Sequence, residues 1–224
     1  MVNIGKLSLT KTQTVLLLSP PILLITTYVT YGLLGELFGS VNGYIGGFLF
    51  YWIVWCALLP VLLLGLKQIK NMFNNPEHRF GKPWIIGLIF LAGPFVAPFF
   101  SMFLPEIGEA SLSIILVSAL FAIVNGTMEE LLWRGAYVTA FPKSWLWSYL
   151  YPSIWFGYWH LSPQVIFPSQ MPGGAFGFAT MSIFMGLTFG WVAKKTNSIR
   201  WTTVAHILTD FMGLAGFAFI GNGY

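Results

Sequence analysis

The stretch SLSIILVSALFAIVNGTMEELLWRGAYVTAF, Ser111 to Phe141, decides the fold. Its apolar run, Ser111 to Val124, continues without a break into Asn125, Glu129, Glu130 and Arg134. About 20 mostly apolar residues carry a helix across the hydrocarbon of a bilayer. This run is long enough, yet it places two glutamates side by side near its end. The chain has only seven acidic residues in 224. A charged side chain near mid-bilayer costs about 2.5–3.5 kcal/mol on insertion scales, so such groups pair or face a hydrated cavity and mark function.

The rest of the chain has the same character. It is 56% hydrophobic and 8% charged, where a soluble domain carries roughly 25% charged residues. A water-soluble protein is excluded. The expected fold is all-α, a polytopic transmembrane bundle of about seven spans. These fall at 14–34, 44–66, 84–104, 111–140, 145–161, 176–193 and 199–220. No linker separates a second domain, so residues 1–224 read as a single membrane domain, with peripheral spans in 1–105 and the intramembrane polar residues in 111–215. The net charge of +4 is scattered over short loops, which argues against nucleic acid. The lone Cys56 lies in an apolar run and has no intramolecular disulfide partner. Lys6 and Lys11 precede the first span without a small-residue cleavage site, which reads as a retained span rather than a removed signal peptide.

Loop charges predict the orientation. Lys6 and Lys11 precede the first span; Lys67, Lys70, Arg79 and Lys82 follow the second; Arg134 and Lys143 mark the fourth–fifth junction; Lys194, Lys195 and Arg200 follow the sixth. The alternate loops hold Glu36, Glu106 and Glu109 and no Lys or Arg. Cytoplasmic loops are the basic ones, which predicts a cytoplasmic N-terminus. Two stripes of small residues, Gly35/Gly39/Gly43/Gly47 and Ser182/Gly186/Gly190, are expected to be close helix contacts. Trp145, Trp147 and Trp201 stand near predicted span ends, where aromatic belts form.

Besides Glu129, Glu130 and Arg134, the polar residues predicted inside spans are His160, His206 and Asp210. Two of three histidines and three of seven acids thus gather in a few places. Glu130 and Arg134 are four apart, on one helix face, and can pair. Adjacent residues differ by about 100°, so Glu129 points elsewhere and lacks that partner. Asn125 lies one turn before Glu129 and is placed to hydrogen-bond to it. His206 and Asp210 are also four apart and can pair. His160 has Phe156 one turn before it, an aromatic wall. Measured from the predicted helix ends at about 1.5 Å per residue, Glu129, His160 and His206 lie in the same half of the membrane. They are expected to share one cavity.

Three motifs follow in order: Glu129-Glu130-Leu-Leu-Trp-Arg134, Phe156-Gly-Tyr-Trp-His160 and His206-Ile-Leu-Thr-Asp210. Together they resemble the CPBP (Abi) family of intramembrane proteases, which includes the CAAX-processing endopeptidases. The resemblance spans about residues 111–215. It implies a glutamic-type peptidase with no obligatory metal. By motif, Glu129 would be the general base on water and His160 would help hold that water. His206 and Asp210 would stabilise the oxyanion, with Glu130 and Arg134 in support. Many members carry Asn where this chain has Asp210. An ionised Asp210 cannot donate to an oxyanion but can hold His206 as a cation; a protonated one can donate.

The rival readings are of three kinds. Glu, His, His and Asp form a plausible ligand set for zinc or another divalent ion, although the helical H-E-x-x-H signature is absent. A proton-coupled transporter would use similar groups, but no two similar halves are present. A non-catalytic member would act as partner or chaperone of other membrane proteins. The expectation is a membrane peptidase without a cofactor, with a divalent metal as the open alternative. Its substrate would be a membrane-associated peptide or protein and its place the plasma membrane of a prokaryote, its site opening to the cytoplasmic half.

Overall fold

Thr10 starts the first helix. Its hydroxyl accepts from the Gln13 amide while its own amide donates to the Gln13 side chain, a reciprocal cap. The structure, a computed structural model, describes residues 9–213. Among them are α1 (Lys11–Phe38), α2 (Ser40–Leu64), α3 (Leu66–Met72), α4 (Trp84–Glu106), α5 (Leu112–Ala140), α6 (146–159), α7 (Gly174–Thr196) and α8 (Arg200–Met212). No strand occurs among the described residues, so the all-helical expectation holds.

Five of these helices, α1, α2, α4, α5 and α7, are long and apolar enough to cross a membrane. The fifth and seventh expected segments also form helices, α6 over 146–159 and α8 over Arg200–Met212 among the described residues. The end of the seventh, 214–220, and Lys6 lie outside the described residues.

Gly35, Gly43 and Gly47 of the first stripe and Gly186 of the second stand at helix contacts, whereas Gly39 is a turn residue. Gly39, at φ 78°, turns the chain between α1 and α2, a conformation glycine adopts without penalty. The two helices then fold back on each other. A Cβ on Gly43 would lie 2.4 Å from the Gly35 nitrogen, and one on Gly47 2.3 Å from the Tyr31 ring. At the second stripe, a Cβ on Gly186 would lie 2.9 Å from the Ser153 carbonyl oxygen of α6. Gly157 is tighter still: its Cβ would sit 2.1 Å from Ile183 Cγ1 and 2.6 Å from the Ala179 carbonyl oxygen. Backbone cannot yield as a side chain does. Gly157→Ala is therefore expected to push α6 off α7 at a cost of about 1–3 kcal/mol, read as a lower melting temperature in detergent; an unchanged value would mean that the helices are not in contact.

The basic loops meet at one end of the bundle. The Ile199 amide donates to the Met72 carbonyl at 2.8 Å, and the Ser198 hydroxyl to the Asn74 carbonyl at 2.8 Å. Lys194 Nζ donates to the Pro142 carbonyl at 2.5 Å, and Gly81 packs on Lys195. The segments carrying Lys67 to Lys82, Lys143 and Lys194 to Arg200 thus share one side, as the charge alternation requires.

Candidate active site

Helix α5 carries Asn125, Glu129, Glu130 and Arg134, α6 carries Phe156 and ends at His160, and α8 carries His206 and Asp210. Gly126 lets α5 and α8 meet, since a Cβ there would lie 2.9 Å from the Ile207 nitrogen. The α5 helix widens into π-type turns over Leu131–Ala136, directly after the paired glutamates. Such turns recur at functional sites.

The expected Glu130–Arg134 pair is present, with Arg134 Nη1 2.9 Å from Glu130 Oε1. The guanidinium lies over the Phe156 ring at 4.2 Å and the Phe189 ring at 5.8 Å. Its Nη2 donates to the Met185 carbonyl at 3.4 Å. Glu130 also holds a second partner, His206 Nδ1 at 2.9 Å. The other face of that ring looks at two more carboxylates: Nε2 is 3.3 Å from Glu129 Oε2 and 3.6 Å from Asp210 Oδ1. Glu129, Glu130 and His206 have no exposed surface. Both Glu129 oxygens, Glu130 Oε2 and His206 Nε2 make no hydrogen bond among the described residues. Buried polar atoms without partners are rare in native proteins and point to strain, catalysis or bound water.

Asn125 does not bond to Glu129, contrary to the expectation from their one-turn spacing. Its Nδ2 donates to Asp210 Oδ2 at 2.9 Å, and its Oδ1 accepts from Trp52 Nε1 at 2.9 Å. An indole N–H only donates. It therefore fixes the amide so that Oδ1 faces α2 and the NH₂ faces Asp210, which makes Asp210 Oδ2 an acceptor. Trp52→Phe removes that donor and leaves Asn125 Oδ1 unpaired. The expected result is about 1–3 kcal/mol of lost stability, seen in the melting temperature; no change would mean that the Trp52–Asn125 bond carries no weight.

His160 Nδ1 lies 2.7 Å from the Phe156 carbonyl oxygen. A carbonyl only accepts, so Nδ1 is the donor, and the neutral ring keeps Nε2 as an acceptor. Among the described residues His160 makes no hydrogen bond or ion pair with Glu129 or His206. Its link to them is Phe156, whose ring centroid is 4.6 Å from that of His160 and 6.0 Å from that of His206. Among the described residues no three His, Cys, Asp or Glu side chains are arranged to hold a metal ion.

Sequence reasoning missed Trp52, Phe189 and the Glu130–His206 bond. Trp52 is one of ten tryptophans in an apolar background, and nothing local distinguishes it.

Residues 111–212 match the family profile described as Rce1-like, type II CAAX prenyl endopeptidase Rce1-like. Over that segment, just under half of the chain, the protein is similar to the Rce1-like family. The segment contains every expected site residue from Asn125 to Asp210 and leaves Trp52 outside. With five long apolar helices among the described residues the chain is an integral membrane protein, and its matched segment is similar to a CAAX-type peptidase family. Searches of curated proteins and of solved structures give no match.

Proposed function

We propose that the chain is an intramembrane endopeptidase in which Glu129 activates water. The observation that carries this reading is Glu129 itself: fully buried, with neither oxygen hydrogen-bonded among the described residues, 3.3 Å from His206 Nε2. Glu129 takes a proton from water as general base, and the water oxygen adds to the scissile carbonyl carbon. The carbonyl oxygen becomes an oxyanion. His206, held through Nδ1 by Glu130, meets that charge as an imidazolium; a fixed donor in a water-poor site is effective there. Asp210 accepts from Asn125 and faces His206, so its part is to hold the ring charged, not to donate. His160 offers Nε2 to the water. When the C–N bond breaks, the proton on Glu129 passes to the leaving nitrogen.

The substrate is a membrane-anchored protein or peptide. The family description points to a bond within a C-terminal Cys-a-a-X sequence whose cysteine carries a prenyl chain. By the positive-inside rule the basic end faces the cytoplasm, and the site would open to that half of the membrane.

The test is a substrate panel on the purified protein in vesicles: a prenylated Cys-a-a-X peptide, its unprenylated twin and a leader-type membrane peptide. Cleavage of at least the first is expected, and it should persist in chelator. Loss of cleavage in chelator, restored by one divalent ion, would replace this mechanism with a metal-dependent one. No cleavage of any membrane peptide by folded protein would leave a non-catalytic member.

A further inference from the structure

A second feature of the bundle lies on its outer surface, away from the carboxylates. Helices α4 and α8 pack together and leave a slot of about 340 Å³ between them. Leu88, Leu91, Ala92 and Phe95 line it from α4, and Trp201, Val204, Ala205 and Leu208 from α8. Both sets follow one spacing, i, i+3, i+4, i+7, so each is a single helix stripe. Leu91 and Ala205 form a buried floor, while Leu88, Val204 and Leu208 are exposed at the rim. Phe80 closes one end of the slot and also lines a second cavity, of about 410 Å³, formed by residues 77–84.

That second cavity lies at the basic end. Arg79 and Lys82 line it, with His78 and one acid, Glu77. The Arg79 guanidinium stands 5.2 Å over the Trp201 ring, so it is held where the slot begins. Arg200 precedes Trp201 and is exposed, and Lys195, also exposed, packs on Gly81. Cations therefore collect at the mouth of an apolar slot. Basic pockets between membrane helices take anionic lipid headgroups, and a slot in the hydrocarbon suits an acyl chain.

We propose that this slot and the cavity above it bind one phospholipid with an anionic headgroup. One acyl chain lies between α4 and α8, and the phosphate sits among Arg79, Lys82 and Arg200. The lipid also bears on the site. Leu91 and Ala205 of the slot floor pack in one cluster with Phe189, and the Phe189 ring is 5.7 Å from His206 and 5.8 Å from the Arg134 guanidinium carbon. A filled slot holds α8 against α5 and so holds His206 on the glutamates.

The test uses the full chain, delipidated in detergent and given phosphatidylglycerol or phosphatidylcholine, with retained lipid counted by native mass spectrometry and the melting temperature read alongside. The expected result is one retained phosphatidylglycerol per chain with a raised melting temperature, and no comparable retention of phosphatidylcholine. Arg79→Gln with Arg200→Gln should weaken retention about tenfold or more. Ala92→Trp, on the exposed rim, should abolish it by filling the slot while the headgroup cations remain. Equal retention of both lipids, or unchanged retention in both variants, would overturn the proposal. So would displacement of the retained lipid by a prenylated peptide in direct competition, which would assign the slot to substrate. None of these readouts requires peptidase activity.

Discussion

Glu129→Gln is expected to stop peptide cleavage while leaving the protein folded. Gln matches Glu in shape, so the packing around a fully buried side chain is kept. What it cannot do is take a proton from water. General-base assistance is worth typically 10²–10⁴-fold, and the loss should fall on kcat, not on KM or melting temperature. Near-normal cleavage by a folded Glu129→Gln protein would remove Glu129 as the base, and the glutamic-type mechanism with it.

Glu130→Gln should do the reverse, with stability falling most. Glu130 Oε1 forms an ion pair with Arg134 Nη1 and a hydrogen bond with His206 Nδ1, each at 2.9 Å. Losing its charge leaves the Arg134 guanidinium, 2% exposed, without a carboxylate. Breaking a buried pair by removing one partner costs about 3–5 kcal/mol. Lower yield and a markedly lower melting temperature are expected, with partial loss of cleavage because His206 is no longer held at Nδ1. A Glu130→Gln protein as stable as the parent would show that the Arg134–Glu130–His206 chain does not hold the site together.

What the sequence showed about this site was local. Spacing alone paired Glu130 with Arg134 and brought His206 near Asp210, and the structure has both; it did not show that Glu129 and Glu130 would meet the same imidazole. The apolar runs also located the long helices. Contacts between distant segments were not legible. His206 meets both glutamates because α8 packs on α5 at Gly126, across about eighty residues of chain, and no periodicity reports which helix face meets which. Asn125 misled for the same reason: its neighbour in sequence is Glu129, but an indole from α2 captures its carbonyl and turns its amide toward Asp210. The polar residues on α5 and α8 break the hydropathy signal where the site is built, so periodicity located the helices but not which of their faces meet.

The most direct test of the account follows the oxygen. A prenylated Cys-a-a-X peptide is cleaved in vesicles made in ¹⁸O water, by the parent protein and by Glu129→Gln, and the products are weighed by mass spectrometry. The account predicts that the parent produces a new carboxylate carrying one solvent oxygen and that folded Glu129→Gln produces none above background. Labelled product from Glu129→Gln at the parent's rate would contradict it.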